Sequence, residues 1–82
     1  MTLQQQDPEI YNVIKSEEEK QQLKLSMIPS ENFASKAIRE AVGSVLMNKY
    51  SEGYPSARYY EGNQNIDNLE NVAIERAKKL FK

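Results

Sequence analysis

The chain has no cysteine and no histidine. Without thiols there is no disulfide and no thiolate-held metal. Without imidazole the commonest metal ligand and the commonest general base are missing. A self-contained zinc site or a Ser-His triad is therefore excluded. Long apolar runs are also lacking: Leu46-Met47 and its neighbours are far too short to span a bilayer. There is no basic excess, because 11 Lys and Arg face 12 Asp and Glu for a net charge of −1. Interspersed charges of both signs argue against a nucleic-acid surface. Residues 1–6 have neither the basic start nor the apolar stretch of a secretory signal, so a cytoplasmic address is expected. At 82 residues the chain allows at most one small domain, and a domain of that size is marginal without help.

Three amphipathic patterns can be read along the chain. Residues 1–6 are polar and Gln-rich, the composition of a fraying, disordered tail. Asp7-Pro8-Glu9 then opens a helix, with Asp7 as N-cap, Pro8 at the first position and Glu9 favoured by the dipole. Ile10, Val13 and Ile14 give it a one-sided apolar stripe. Leu23, Leu25 and Met27 alternate with Lys24 and Ser26, which reads as a brief extended segment before Ile28-Pro29 and a polar turn at Ser30-Glu31-Asn32. Ser35 is a second N-cap, and Ala37, Ile38, Ala41, Val42, Val45 and Leu46 form a stripe to about Met47. Gly43 weakens that helix, which bends or stops early there. Asn65 or Asp67 starts a last helix, with Ile66, Leu69, Val72, Ala73, Ala77 and Leu80 on one face. No stop signal follows it, and the chain reads as the beginning of something larger.

Between the second and third helices lies the most distinctive stretch. Four of the five tyrosines, two glycines, a proline and two carboxylates fall within the fifteen residues from Asn48 to Gly62. Gly53 and Pro55 break helical pairing. Phenols prefer an edge where the ring packs and the hydroxyl finds a partner. A loop of this composition, here 48–65, contacts something other than its own core.

The order of these motifs resembles the N-terminal portion of the serine hydroxymethyltransferase family. The resemblance runs from Asp7 to Lys82. It rests on Asp7-Pro8-Glu9-Ile10, on Ile28-Pro29-Ser30-Glu31-Asn32-Phe33, on Gly43-Ser44-Val45-Leu46, on Asn48 through Pro55, and on Arg58-Tyr59-Tyr60. Pro29 stands where alanine is more usual, and Glu61 where glycine is common. The resemblance implies a pyridoxal 5'-phosphate enzyme of the α/β, aspartate-aminotransferase-like fold (type I). Such an enzyme interconverts serine and glycine with tetrahydrofolate as co-substrate, as a homodimer or dimer of dimers with sites shared across subunits. This chain would be mostly α: a tail at 1–6, arm helices at 7–47, the active-site loop at 48–65, and at 66–82 a helix opening the large cofactor domain. The lysine that binds the cofactor would lie beyond Lys82, so the chain alone is expected to be inactive. The alternative is a free-standing helical interaction module, or a decayed gene piece that retains the arm.

The same resemblance assigns roles. Ser30, by itself a turn serine bonding its own backbone, would bind the carboxylate of the amino-acid substrate, with Glu31 and Asn32 holding the turn. Tyr50, otherwise an aromatic loop anchor, would reach the cofactor phosphate of the neighbouring subunit, where a phenol donates to an anion without adding charge. Glu52, otherwise a solvated acid, would be partly buried between tyrosines. Burial would raise its pKa and fit it for proton transfer near the serine hydroxymethyl group and the folate. Tyr59 and Tyr60, adjacent in an extended segment, face opposite ways. Tyr60 would stand near the substrate α-carbon, and Tyr59 flat against the aromatic part of the folate. Arg58 would make an ion pair within the loop. Lys49 is not the cofactor lysine. The apolar stripes carry no chemistry and would pack a core or a dimer, and no metal site is expected.

Overall fold

The computed structural model describes all residues, 1–82. It is mostly helical with one two-stranded sheet, and it divides into two units, residues 1–33 and 34–82.

In the first unit, α1 (Leu3–Gln6) precedes α2 (Pro8–Leu23). The expected frayed tail is thus a short helix, and the reason is local. Thr2 Oγ1 accepts from Gln5 N at 3.2 Å, while Gln5 Oε1 accepts from Thr2 N at 2.9 Å. This reciprocal capping box satisfies two otherwise free donors. Asp7 then caps α2 as its sequence predicts, accepting from Ile10 N at 3.1 Å, with Pro8 in the first turn. Exposed ion pairs line α2, among them Lys15–Glu18 at 2.9 Å. Its apolar stripe stays open: Ile10, Val13 and Ile14 are all exposed.

The segment after α2 does not form a strand. Lys24 is extended, but Leu25 to Ile28 find no partner strand and run as coil into a turn at Pro29-Ser30. An alternating pattern specifies a strand only where another strand is there to pair with it.

The second unit begins with α3 (Lys36–Val42), capped by Ser35 Oγ on Ile38 N at 3.2 Å. It stops at Gly43 rather than running to Met47. The stop is made by Ser44, whose hydroxyl donates to Ala41 O at 2.7 Å and accepts from Leu46 N at 3.3 Å. A 3₁₀ turn follows at Val45–Asn48.

The stretch expected as a loop contains a small hairpin, β1 (Gly53–Tyr54) with β2 (Ala57–Arg58), antiparallel in the register Gly53↔Arg58 and Tyr54↔Ala57. Pro55 and Ser56 form its tip. Ser56 has φ 65°, the left-handed third position of a type II turn led by proline. Gly53 has φ 112°, and a Cβ there would collide with Ala57 O, so the pairing requires glycine.

The last helix, α4 (Gln64–Phe81), starts earlier than Asn65 or Asp67 predicts. Ile66 is the one buried apolar side chain of the molecule, while Leu69, Val72 and Leu80 on the same stripe are exposed. No helix is long and apolar enough to cross a membrane.

Candidate functional site

Arg58 organises the hairpin from beneath. Its side chain is only 6% exposed. Nε donates to Asp67 Oδ1 at 2.8 Å, and Nη1 donates to Ser51 O at 2.7 Å and Gly53 O at 3.0 Å. Nη2 lies 2.9 Å from Glu70 Oε2 in an ion pair. The second oxygen of Asp67 accepts from Ser56 N at 3.2 Å. Arg58 is structural, as expected, but its ion-pair partners are on α4 and not within the loop, where it meets only carbonyls. The hydrogen bond from Arg58, with help from the Ser56 N–H, holds the Asp67 carboxyl below its ordinary range despite some desolvation. Glu70 first, then Asp67, favour the charged guanidinium. One cation thus carries two acids and two carbonyls, which makes the hairpin's attachment dependent on a planar, forked donor.

Above this base the ladder continues one rung beyond the strands, with Tyr59 N donating to Glu52 O at 3.1 Å. Glu52 therefore uses its backbone for pairing and turns its side chain outward. It is exposed, and the partial burial expected of it is not found within this chain.

Tyr50 and Tyr60 meet across the base of the hairpin. Their ring centroids are 5.3 Å apart with an interplanar angle of 81°, an edge-to-face pair. Tyr59, the neighbour of Tyr60, is 78% exposed and has no aromatic partner. The two adjacent tyrosines lie in a bend after β2 rather than in the extended segment expected, and both are exposed, Tyr59 more than Tyr60.

Asn63 has no role that its sequence context predicts, yet it is the one buried polar residue, 4% exposed. Its Nδ2 donates to Tyr60 O at 3.2 Å and to Tyr50 O at 3.4 Å. Gly62, at φ 80°, turns the chain just ahead of it. Gly62-Asn63 before an amphipathic stripe is a legible helix start. What the amide grips is set by tertiary structure and has no local signal.

Ser30 belongs to the first unit. It is exposed in the turn that Glu31 closes, where Glu31 N donates to Ile28 O at 3.1 Å and Glu31 Oε2 accepts from Ser26 Oγ at 3.0 Å. Glu31 holds the turn, and the Ser30 hydroxyl makes no hydrogen bond within the chain.

The geometry defines a hairpin that presents phenols and a carboxylate outward from a rigid ionic base. A family model described as serine hydroxymethyltransferase matches residues 3–82. The serine hydroxymethyltransferase of Desulfotalea psychrophila is 60% identical over 79 residues, 96% of this chain and 19% of that protein. That of Acidothermus cellulolyticus is 61% identical over 75 residues, 92% of this chain and 18% of that protein. That of Lacticaseibacillus casei is 59% identical over 81 residues, 99% of this chain and 20% of that protein. The chain belongs to the serine hydroxymethyltransferase family, and it spans about a fifth of the length of the curated relatives it matches.

Proposed function

We propose that this chain supplies part of the active site of a pyridoxal-phosphate-dependent glycine hydroxymethyltransferase, which interconverts serine and glycine with tetrahydrofolate and 5,10-methylenetetrahydrofolate. The observation that carries this reading is the paired Tyr50 and Tyr60 with exposed Glu52 on the intervening hairpin, in a chain of this family. The whole protein would have the aspartate-aminotransferase-like α/β fold and act in the cytoplasm.

Tyr50 fits a phosphate contact. Its ring is held from the side by Tyr60, and its hydroxyl makes no hydrogen bond within the chain, leaving an uncharged donor free for an anion. Pyridoxal phosphate, when bound, acts as an electron sink for bonds broken at the amino-acid α-carbon. Nothing in this chain holds more of the cofactor than that one phosphate contact.

In the site of its own subunit the Ser30 hydroxyl donates to the substrate carboxylate, whereas Tyr50, Glu52 and Tyr60 serve the site of the partner subunit. Glu52 takes and returns a proton at the serine hydroxymethyl oxygen. Tyr60 stands beside the α-carbon, and Tyr59 offers an open ring face to the folate. The exposed stripes of α2 and α4 support a homodimer in which one subunit's hairpin completes its partner's site.

The test is a split between two substitutions in the assembled enzyme. Tyr50→Phe removes a hydrogen bond to an anion, worth about 1.5–3 kcal/mol, and weakens cofactor binding about ten- to hundredfold. Glu52→Gln keeps cofactor affinity and lowers the turnover of serine by about 10²–10⁴. Wild-type affinity in the first together with wild-type turnover in the second contradicts the reading.

A further inference from the structure

Asn63 occupies the N-cap position of α4, where an asparagine side chain ordinarily accepts from the backbone of the first turn. Here it makes no capping bond. The amide is instead buried, and it donates to the backbone carbonyls of Tyr50 and Tyr60, thirteen and three residues away. Those two residues are the ones whose rings meet edge to face at 5.3 Å. The amide's orientation follows from its neighbours, because two carbonyl acceptors can be met only by the NH₂ end.

We infer that Asn63 is a positioning residue, whose amide ties the Tyr50 and Tyr60 backbones together and so sets the pairing of their rings. The inference rests on the roles proposed above for those tyrosines. Three features support it. The residue gives up a cap that its position offers. Gly62, in the left-handed region, aims it inward. Both of its partners lie at the base of the hairpin, where a small backbone shift swings a long aromatic side chain through a larger arc. Asn63 touches neither cofactor nor substrate; it acts through Tyr50 and Tyr60.

Asn63→Asp separates this role from helix capping. Aspartate is nearly isosteric and is a good N-cap at a helix start. As a carboxylate it has no proton to donate to either carbonyl. The experiment measures pyridoxal phosphate affinity by the absorbance of bound cofactor in the assembled enzyme, for Asn63→Asp, Tyr50→Phe and the double variant. A thermal melt runs alongside.

The expected result is a cofactor affinity about tenfold weaker in Asn63→Asp. The double variant should be no weaker than Tyr50→Phe alone, the coupling expected of residues that act as one unit. Wild-type affinity in Asn63→Asp beside a weakened Tyr50→Phe overturns the inference and leaves the proposed function standing. Fully additive losses also overturn it, since Asn63 would then not act through Tyr50. Unchanged affinity in Tyr50→Phe removes the proposed role of that tyrosine and the inference with it. If Asn63→Asp does not fold, Asn63→Ser decides by the same criteria, since its shorter hydroxyl can cap α4 but cannot reach both carbonyls.

Discussion

Arg58 and Asp67 fasten the tyrosine hairpin to α4 through a 2.8 Å bond from Nε to Oδ1. The same carboxylate takes the Ser56 amide at the hairpin tip on its other oxygen. A two-stranded hairpin is marginal by itself in water. This one is held at its tip by Asp67, along its strands by the Arg58 guanidinium, and at its base by the Asn63 amide. The three tethers converge on the segment that carries Tyr50, Glu52, Tyr59 and Tyr60.

The Asp67 tether has a defined pH window. Its carboxyl is held below an ordinary value of 3.8, chiefly by the hydrogen bond from Arg58. A depressed folded-state pKa stabilises the fold above the unfolded value, and that contribution is lost as pH falls through the folded value. Protection of the Ser56 amide against hydrogen exchange, corrected for intrinsic rates, should therefore show no Asp67-linked step from about pH 5 to 8 and collapse only below about pH 4. Asp67→Asn should remove the acid step and lower protection throughout. A step centred near neutrality would contradict this.

Arg58→Lys keeps the charge and loses the fork. A lysine ammonium has no planar array of donors with which to serve Asp67, Glu70 and the carbonyls of Ser51 and Gly53 together. Protection of the Tyr59 amide, which pairs with Glu52 O, should fall nearly as far in Arg58→Lys as in Arg58→Ala. Retention of wild-type protection by the lysine variant would show that charge alone holds the hairpin.

The two positive-φ positions of the hairpin, Gly53 and Ser56, should respond in opposite directions to substitution. Ser56, at φ 65°, pays roughly 1–2 kcal/mol for a left-handed backbone. Glycine removes that cost while losing about 0.5–1 kcal/mol more entropy on folding. Ser56→Gly should therefore be neutral to stabilising by up to about 1.5 kcal/mol in denaturant unfolding. At Gly53 an added Cβ collides with Ala57 O. Gly53→Ala should abolish strand pairing, read as loss of protection at Tyr59. The reverse order of effects would contradict the turn geometry.

The helical signals were legible because they are local. Asp7 and Ser35 cap where their sequence predicts, and Gly43 marks the end of α3. The alternation at 23–27 gives an extended Lys24 and then coil: it starts inside α2, which ends at Leu23, and no second strand is there to pair with it. The tail at 1–6 folds because Thr2 and Gln5 sit three apart, a capping-box spacing hidden in a polar, Gln-rich run. Within the loop, the tyrosines and Glu52 stand out by composition. The devices that hold them do not: Asn63, Asp67 and Glu70 look like ordinary polar residues of a helix start until Arg58 and the Tyr50 and Tyr60 carbonyls are brought to them. Glu52 shows the converse, since the burial expected from its neighbours in sequence is absent from the folded chain.

On the proposed function, Tyr50, Glu52 and Tyr60 of this chain complete a cofactor site that the chain does not hold alone. The most direct test adds the purified chain to a serine hydroxymethyltransferase deprived of its own copy of this segment. Absorbance of bound pyridoxal phosphate and serine–glycine exchange are followed before and after mixing. With the chain alone no cofactor should bind and no exchange should occur, and both should appear on mixing. Exchange by the chain alone, or no change on mixing with a partner shown to bind it, would overturn the proposed function.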